Sequence, residues 1–221
     1  MGLSNYLPNS RINQPGVCTS STRPASPYEG QVIYETDTNR VLVYDSAAWV
    51  MIADTDQPPG MQLIKTQTIG SAVSSVTVND AFSSEYDNYK IIVNGGVAST
   101  ALDLRFNFDG NTAGYYSGIL YHPYGTAGPS NAQGLGDSNI AYWNRCGNAS
   151  TSVLAMNIDV LDAFATKTSS FAAMFSNVNT GGSIGFVSGF HNSATSFTGF
   201  RIQTSTGNIT GGTIRVYGYR N

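Results

Sequence analysis

From Met61 onward, short runs of β-branched and aromatic residues recur between clusters of Gly, Asn and Ser. In the run Leu102–Phe108, apolar and polar residues alternate strictly, which is the period of a strand with one buried face. About nine such runs are present, and no stretch has the period of a helix. The pattern predicts an all-β domain over residues 61–221, an antiparallel β-sandwich of the jelly-roll kind.

Three shorter β-rich runs at residues 31–36, 40–45 and 48–52 predict a small three-stranded meander over residues 31–52. Its turns consist of residues that hydrogen-bond to their own backbone. A unit of this size lies below the roughly 40 residues at which a domain usually folds alone, so we expect it to pack against copies of itself or against a partner. The large side chains suited to this packing are Tyr34, Leu42, Tyr44 and Trp49.

The first 30 residues have neither strand nor helix periodicity, and they contain four prolines. They predict an extended arm that needs another surface to order it. Residues 53–60 contain Pro58-Pro59 followed by Gly60, which is typical of a linker. The expected organisation is therefore an arm (1–30), a meander (31–52), a linker (53–60) and a sandwich (61–221).

Charged residues make up only 11% of the chain, against about 25% in an average globular domain, and the net charge is -3. The Lys and Arg residues form no basic stripe, so we expect no nucleic-acid ligand. The uncharged stretch 168–200 contains too many Asn and Gly residues for a membrane span, and no membrane insertion is expected. The first residues show no apolar signal segment, which predicts synthesis in a cytoplasm without targeting.

The segment 110–136 has no charged residue and is rich in Gly and Tyr. Such a composition suits loops that present aromatic rings for recognition. The alternative is that these rings seal the end of the sandwich or a seam between subunits. The candidate recognition residues are Tyr115, Tyr116, Tyr121 and Tyr124.

The sequence contains little that resembles an active site. Ser183 lies in a G-x-S-x-G string, but only His191 and no carboxylate follows it, so the acid and histidine of a nucleophile elbow are not both supplied. The two histidines, His122 and His191, are far apart and have no metal-ligand spacing. We predict no catalytic, cofactor-binding or metal-binding residue. Cys18 and Cys146 are expected to be small apolar residues rather than a disulfide.

Residues 23–50 contain, in this order, Pro27, Gly30-Gln31, Tyr34-Glu35-Thr36-Asp37, Leu42-Val43-Tyr44 and Ala48-Trp49. With these positions, the segment resembles a short module found in virion proteins of tailed bacteriophages. Segments 80–95 and 195–221 also resemble the C-terminal β-domains of phage minor tail and fibre-like proteins.

This resemblance implies a non-enzymatic structural protein of the virion, assembled in the cytoplasm of a bacterial host. It implies a homotrimeric surface component of the tail or fibre type, with the arm bound to other virion proteins and the sandwich facing a host receptor or glycan. A capsid cement or decoration protein that stabilises the head is the alternative. A carbohydrate-active enzyme, which would need a pair of carboxylates from distant strands, is the third interpretation.

Overall fold

The computed structural model describes residues 16–56, 60–124, 133–176 and 182–219, and all their regular structure is β-strand. The predicted all-β class is confirmed. Within these residues there is no helix long and apolar enough to cross a membrane. The chain divides into two compact units, with the boundary between residues 59 and 60, at the end of the predicted linker.

The small unit is a mixed sheet in the order β1-β2-β3-β4, in which only the β1–β2 pair is parallel. It contains the predicted meander, β2 to β4, but the meander has a fourth strand, β1, drawn from the predicted arm. The last strand also continues two residues into the predicted linker. The strands are β1 (Gly16–Cys18), β2 (Val32–Glu35), β3 (Arg40–Tyr44) and β4 (Trp49–Asp54).

The end of the predicted arm is held by hydrogen bonds to the meander, so the surface that orders this part of the arm belongs to the same chain. The amide of Thr36 donates to the carbonyl of Cys18 at 2.9 Å. The amide and hydroxyl of Ser20 donate to the Asp37 carboxylate at 2.8 and 2.6 Å. These contacts join positions far apart in sequence, so no local pattern indicates them. Residues 1–15 of the arm lie outside the described residues.

The large unit contains twelve antiparallel strands, which begin close to the predicted start at residue 61. They are β5 (Met61–Thr68), β6 (Ser75–Val78), β7 (Asn88–Ala98), β8 (Leu102–Phe108), β9 (Tyr115–Pro123), β10 (Gln133–Ile140), β11 (Trp143–Ala149), β12 (Leu154–Leu161), β13 (Ser169–Ser176), β14 (Ser183–His191), β15 (Phe200–Thr204) and β16 (Ile209–Tyr219).

The twelve strands form two layers that share β12. The C-terminal half of β12 pairs with β13 and β7, and its N-terminal half pairs with β11. One layer, the long sheet, has the order β10-β9-β14-β13-β12-β7-β16-β5, and the other, the short sheet, has the order β12-β11-β8-β15-β6. The predicted antiparallel sandwich is thereby confirmed.

Aromatic rings fill the space between the two sheets. Trp143 of the short sheet is fully buried, and its ring stacks on Phe171 of the long sheet with centroids 4.2 Å apart. Its indole Nε1 donates to the carbonyl of Phe190 at 3.2 Å, so this polar atom is satisfied. The stack continues through Phe106 to Phe200 at 5.4 and 5.1 Å. This core holds the two layers together and fixes which faces of the sheets point outward.

Candidate functional site

The outer face of the long sheet carries exposed apolar side chains on three neighbouring strands. Phe186 on β14 lies opposite Leu120 on β9 and opposite Met174 on β13, so the three form a row across the sheet. Ile184 and Phe190 extend this row along β14. We call these five residues the apolar patch, and each is between 42% and 68% exposed. A cluster of this kind on an outer sheet face is typical of a contact surface.

The apolar patch exists because β14 turns its glycines, not its aromatic rings, toward the core. A Cβ atom on Gly189 would lie 2.0 Å from the carbonyl oxygen of Tyr116 and 2.9 Å from the ring of Phe171. A Cβ atom on Gly185 would lie 2.8 Å from the ring of Phe175. The rings of β13 already occupy the space beneath β14. Successive side chains of a strand point to opposite faces, so Phe186 must point outward.

Beside the apolar patch, the centre of the same face holds a satisfied polar cluster. Lys90 Nζ lies 3.0 Å from Asp159 Oδ2, and the Tyr219 hydroxyl donates to Asp159 Oδ1 at 2.6 Å. Burial and the neighbouring carboxylate raise the pKa of Tyr219 to about 12. The ammonium and the carboxylate neutralise each other. The face therefore presents apolar surface next to a cluster without net charge.

The outer face of the short sheet is different, because polar side chains bond to one another across it. Gln203 Nε2 donates to Asn107 Oδ1 at 2.7 Å, and Asn107 Nδ2 donates to the carbonyl of Asn111 at 2.9 Å. The guanidinium of Arg105 lies over the ring of Tyr142, 4.4 Å from its centroid. Such a face is suited to water. The two outer faces of the sandwich therefore differ, and the exposed apolar cluster lies on the long sheet.

The structure does not bring the four predicted recognition tyrosines onto one surface. Tyr115 is fully buried, its oxygen accepts from the amide of Phe108 at 2.8 Å, and burial raises the pKa of its phenol. Its assignment to a recognition surface was wrong. Tyr121 is on the same side of β9 as Tyr115 and packs partly against the core. Tyr116 points to the opposite face, and Tyr124, which is exposed, follows the strand.

The error has a simple physical cause. Strand β9 runs from Tyr115 to Pro123, and strand alternation divides residues that a composition argument groups together. Tyr116 stacks on Phe190 of the apolar patch, with centroids 4.9 Å apart and planes 6° from parallel. Residues 125–132 of the predicted recognition segment lie outside the described residues.

In the small unit, the four predicted packing residues occupy different environments. Leu42 is buried beside Ile33 within the unit itself, so it offers no surface to a partner. This corrects its assignment to a contact between copies. Tyr44 and Trp49 pair across β3 and β4 with ring centroids 5.4 Å apart, and both stay half-buried. Tyr34 is half-buried, and its hydroxyl donates to Asn39 Oδ1 at 2.9 Å.

The other side of this sheet carries valines on all four strands. Val43 lies opposite both Val32 and Val50, and Tyr34 lies opposite Val41 and beside Val17. None of the five valines is buried, and Val17 is 72% exposed. We call them the valine face: Val17, Val32, Val41, Val43 and Val50. The valine face is thus a second exposed apolar surface of the protein, besides the apolar patch of the large unit. The residues of the small unit itself do not cover it.

A small polar cleft is lined by residues of both sheets of the sandwich. Its volume is about 180 Å³, and its polar lining consists of Asp103, Arg145, Tyr121 and Ser183. Arg145 Nε lies 3.8 Å from Asp103 Oδ2. Asn148 Nδ2 donates to Asp103 Oδ1 at 3.0 Å, and burial raises the pKa of the Asp103 carboxyl. No local sequence pattern indicates this cleft, because its polar residues come from four strands distant in the chain.

The structure also places the residues considered for catalysis, metal binding and a disulfide. Ser183 is the first residue of a strand, not part of a strand-to-helix turn. Across the described residues, no three His, Cys, Asp or Glu side chains are close enough to hold a metal ion. His191 is buried among aromatic rings, with Nε2 3.0 Å from the carbonyl oxygen of Ala113. Cys18 and Cys146 are both free thiols.

Fold and surfaces together define an all-β protein of two units, each with an uncovered apolar sheet face. No protein family, curated protein or solved structure matches the chain.

Proposed function

We propose that this chain is a structural protein of a tailed-phage particle, a homotrimeric surface component of the tail or fibre type. The observation that carries the proposal is the pair of uncovered apolar faces, the apolar patch and the valine face. A second copy of the chain is their proposed occupant. The phage assignment itself depends on the resemblance of residues 23–50 to a virion module.

The size of the long sheet supports contact with a second copy. Eight strands spaced ~4.8 Å apart give a width of about 38 Å, and residues 116–122 span about 20 Å along the strand. The face therefore measures about 800 Å², close to the ~800 Å² that each partner contributes to a standard stable interface. Its polar cluster of Lys90 and Asp159 is neutral, so two copies meet there without repulsion between like charges.

The small unit supports the same interpretation. Burying the valine face against another copy removes apolar area from water at about 25 cal/mol per Å². A sheet this small gains most of its stabilisation from such a contact, since few of its side chains are buried within the unit. The half-buried ring of Tyr34, which lies among the valines, adds aromatic contact area at low entropic cost.

The virion assignment is tested by labelling particles. An antiserum raised against the purified protein is applied to tailed-phage particles from the bacterium that carries the gene, and bound antibody is located by electron microscopy with gold. Label on the tail or fibres is the expected result. Label in many copies over the head would favour the cement alternative, and absence of both label and peptide from purified particles would refute the virion role.

A further inference from the structure

We infer that the polar cleft lined by residues of both sheets binds a single neutral sugar residue. The cleft is separate from the two apolar faces on which the proposed assembly depends, so this inference does not need the trimer. It concerns four polar residues that line one small space: Asp103 on β8, Tyr121 on β9, Arg145 on β11 and Ser183 on β14.

The polar groups of the cleft complement the hydroxyl groups of a sugar. A carboxylate accepts hydrogen bonds, and Asp103 is positioned to do so because Asn148 holds one of its oxygens. A guanidinium only donates, and its five donors are geometrically fixed. At 3.8 Å, the Arg145–Asp103 distance is longer than a hydrogen bond, so Arg145 keeps donors for a ligand oxygen. The Ser183 hydroxyl can do both.

The exposed lining of the cleft is mainly polar, which suits the many hydroxyl groups of a sugar. Ile119, Tyr121, Leu135 and Phe175 add a smaller apolar part that can face the C–H groups of the ring. The volume of about 180 Å³ is smaller than the ~300 Å³ at which sites for drug-sized ligands begin, which favours a single ring.

The charges of the cleft decide between neutral and acidic sugars. Asp103 and Arg145 are the lining residues with formal charge, and their charges cancel. An acidic sugar would bring a second carboxylate close to the Asp103 carboxylate in the same small space, and like charges repel there. A neutral sugar causes no such repulsion.

Backbone geometry indicates that an irregularity in β11 sets the orientation of the Arg145 side chain. It has φ of 57°, a left-handed conformation that is uncommon outside glycine, and it lies where the pairing of β11 with β8 shifts register between Trp143 and Gly147. A bulge of this kind redirects a side chain. Beside it, Asn148 Oδ1 is buried without a hydrogen-bond partner among the described residues. An ion pair with a purely structural role on a regular strand would need neither the left-handed backbone of Arg145 nor the Asn148 oxygen without a hydrogen bond.

The test is a titration of the isotopically labelled full chain, followed by NMR. The probes are the methyl glycosides of glucose, galactose, mannose and N-acetylglucosamine, with N-acetylneuraminic acid as the acidic comparison. We expect at least one neutral glycoside to give saturable shifts at the amides of Tyr121, Arg145 and Ser183. Asp103→Asn and Arg145→Gln should each weaken its binding at least tenfold, whereas Asp109→Asn, which changes an exposed carboxylate elsewhere, should not.

Each variant is first checked for a folded spectrum, and Tyr121→Ala serves as a second route if Asp103→Asn does not fold. Absence of saturable shifts with all neutral probes would overturn the inference. Preferential binding of N-acetylneuraminic acid at the same amides would overturn the neutral assignment, and binding unchanged by Asp103→Asn would place the sugar elsewhere. A variant of the apolar patch should still bind the glycoside, so failure of assembly and failure of sugar binding are distinguishable.

Discussion

The double variant Leu120→Thr, Met174→Thr tests whether the apolar patch is a contact surface. The two side chains are 65% and 68% exposed, so only about a third of each is removed from water by folding. Full burial of such a side chain contributes about 1.5–3 kcal/mol, so the double change should cost the folded monomer about 1–2 kcal/mol. Thr keeps the β-branched shape that strands favour.

Phe175→Thr is the matched control, because Phe175 is adjacent to Met174 on β13 but is only 8% exposed and points into the core. Loss of a buried Phe costs about 3–5 kcal/mol. At concentrations where all proteins are monomeric, chemical denaturation should therefore give a much lower free energy of unfolding for Phe175→Thr than for the double variant. Met174 and Phe175 lie on the same strand and differ in the face of the sheet that they occupy.

Association between copies should show the opposite order, with the double variant weakened more than Phe175→Thr. If both exposed side chains are buried between copies, each is expected to contribute more than about 1 kcal/mol to binding, so the double variant should associate at least about 30-fold more weakly. Sedimentation velocity over a range of concentrations measures this change. The reasoning is refuted if the double variant associates like the unmodified protein, or if it loses as much monomer stability as Phe175→Thr.

Three further changes test the structure itself. Gly189→Ala should destabilise the large unit by about 1–3 kcal/mol, since its Cβ meets a backbone oxygen at 2.0 Å, whereas Gly118→Ala, with no atom within 4 Å, should be neutral or slightly stabilising in thermal denaturation. Burial lowers the pKa of His191, so as the pH falls this residue binds a proton in the unfolded chain before it does in the folded protein. The free energy of unfolding should therefore decrease below about pH 6.5, and His191→Gln should abolish this decrease. Arg23→Gln should destabilise the small unit, because it leaves the buried Glu35 carboxylate without its cation. Adding Glu35→Gln should restore part of the lost stability, and equal stability of the single and double variants would contradict this.

Local patterns were sufficient to predict the fold class and many of its strands. The alternation at Leu102–Phe108 corresponds to a strand whose apolar residues are buried and whose charged residues are half-exposed. The turn residues of the meander also indicated where β2, β3 and β4 separate. These features depend on neighbours within a few residues, which is the range that a sequence pattern covers.

The contact surfaces could not be predicted in the same way. Whether Phe186 faces the core or the outside depends on the rings that β13 places beneath Gly185 and Gly189, and this is a contact between strands. The pairing of β1 with β2 and the approach of Arg145 to Asp103 are likewise contacts between distant segments. The one local signal available for the apolar patch was in β14. There, Gly185 and Gly189 have the spacing G-x-x-x-G, and each is followed by an outward-facing ring, Phe186 or Phe190.

The central claim, that the two apolar faces join copies of this chain, is tested most directly by the molar mass of the purified full chain in solution. Sedimentation equilibrium measured over a range of protein concentrations gives this mass without reference to shape. The account predicts a trimer, with three times the 23.5 kDa mass of the chain, that dissociates on dilution. A single species of 23.5 kDa at all concentrations would contradict it.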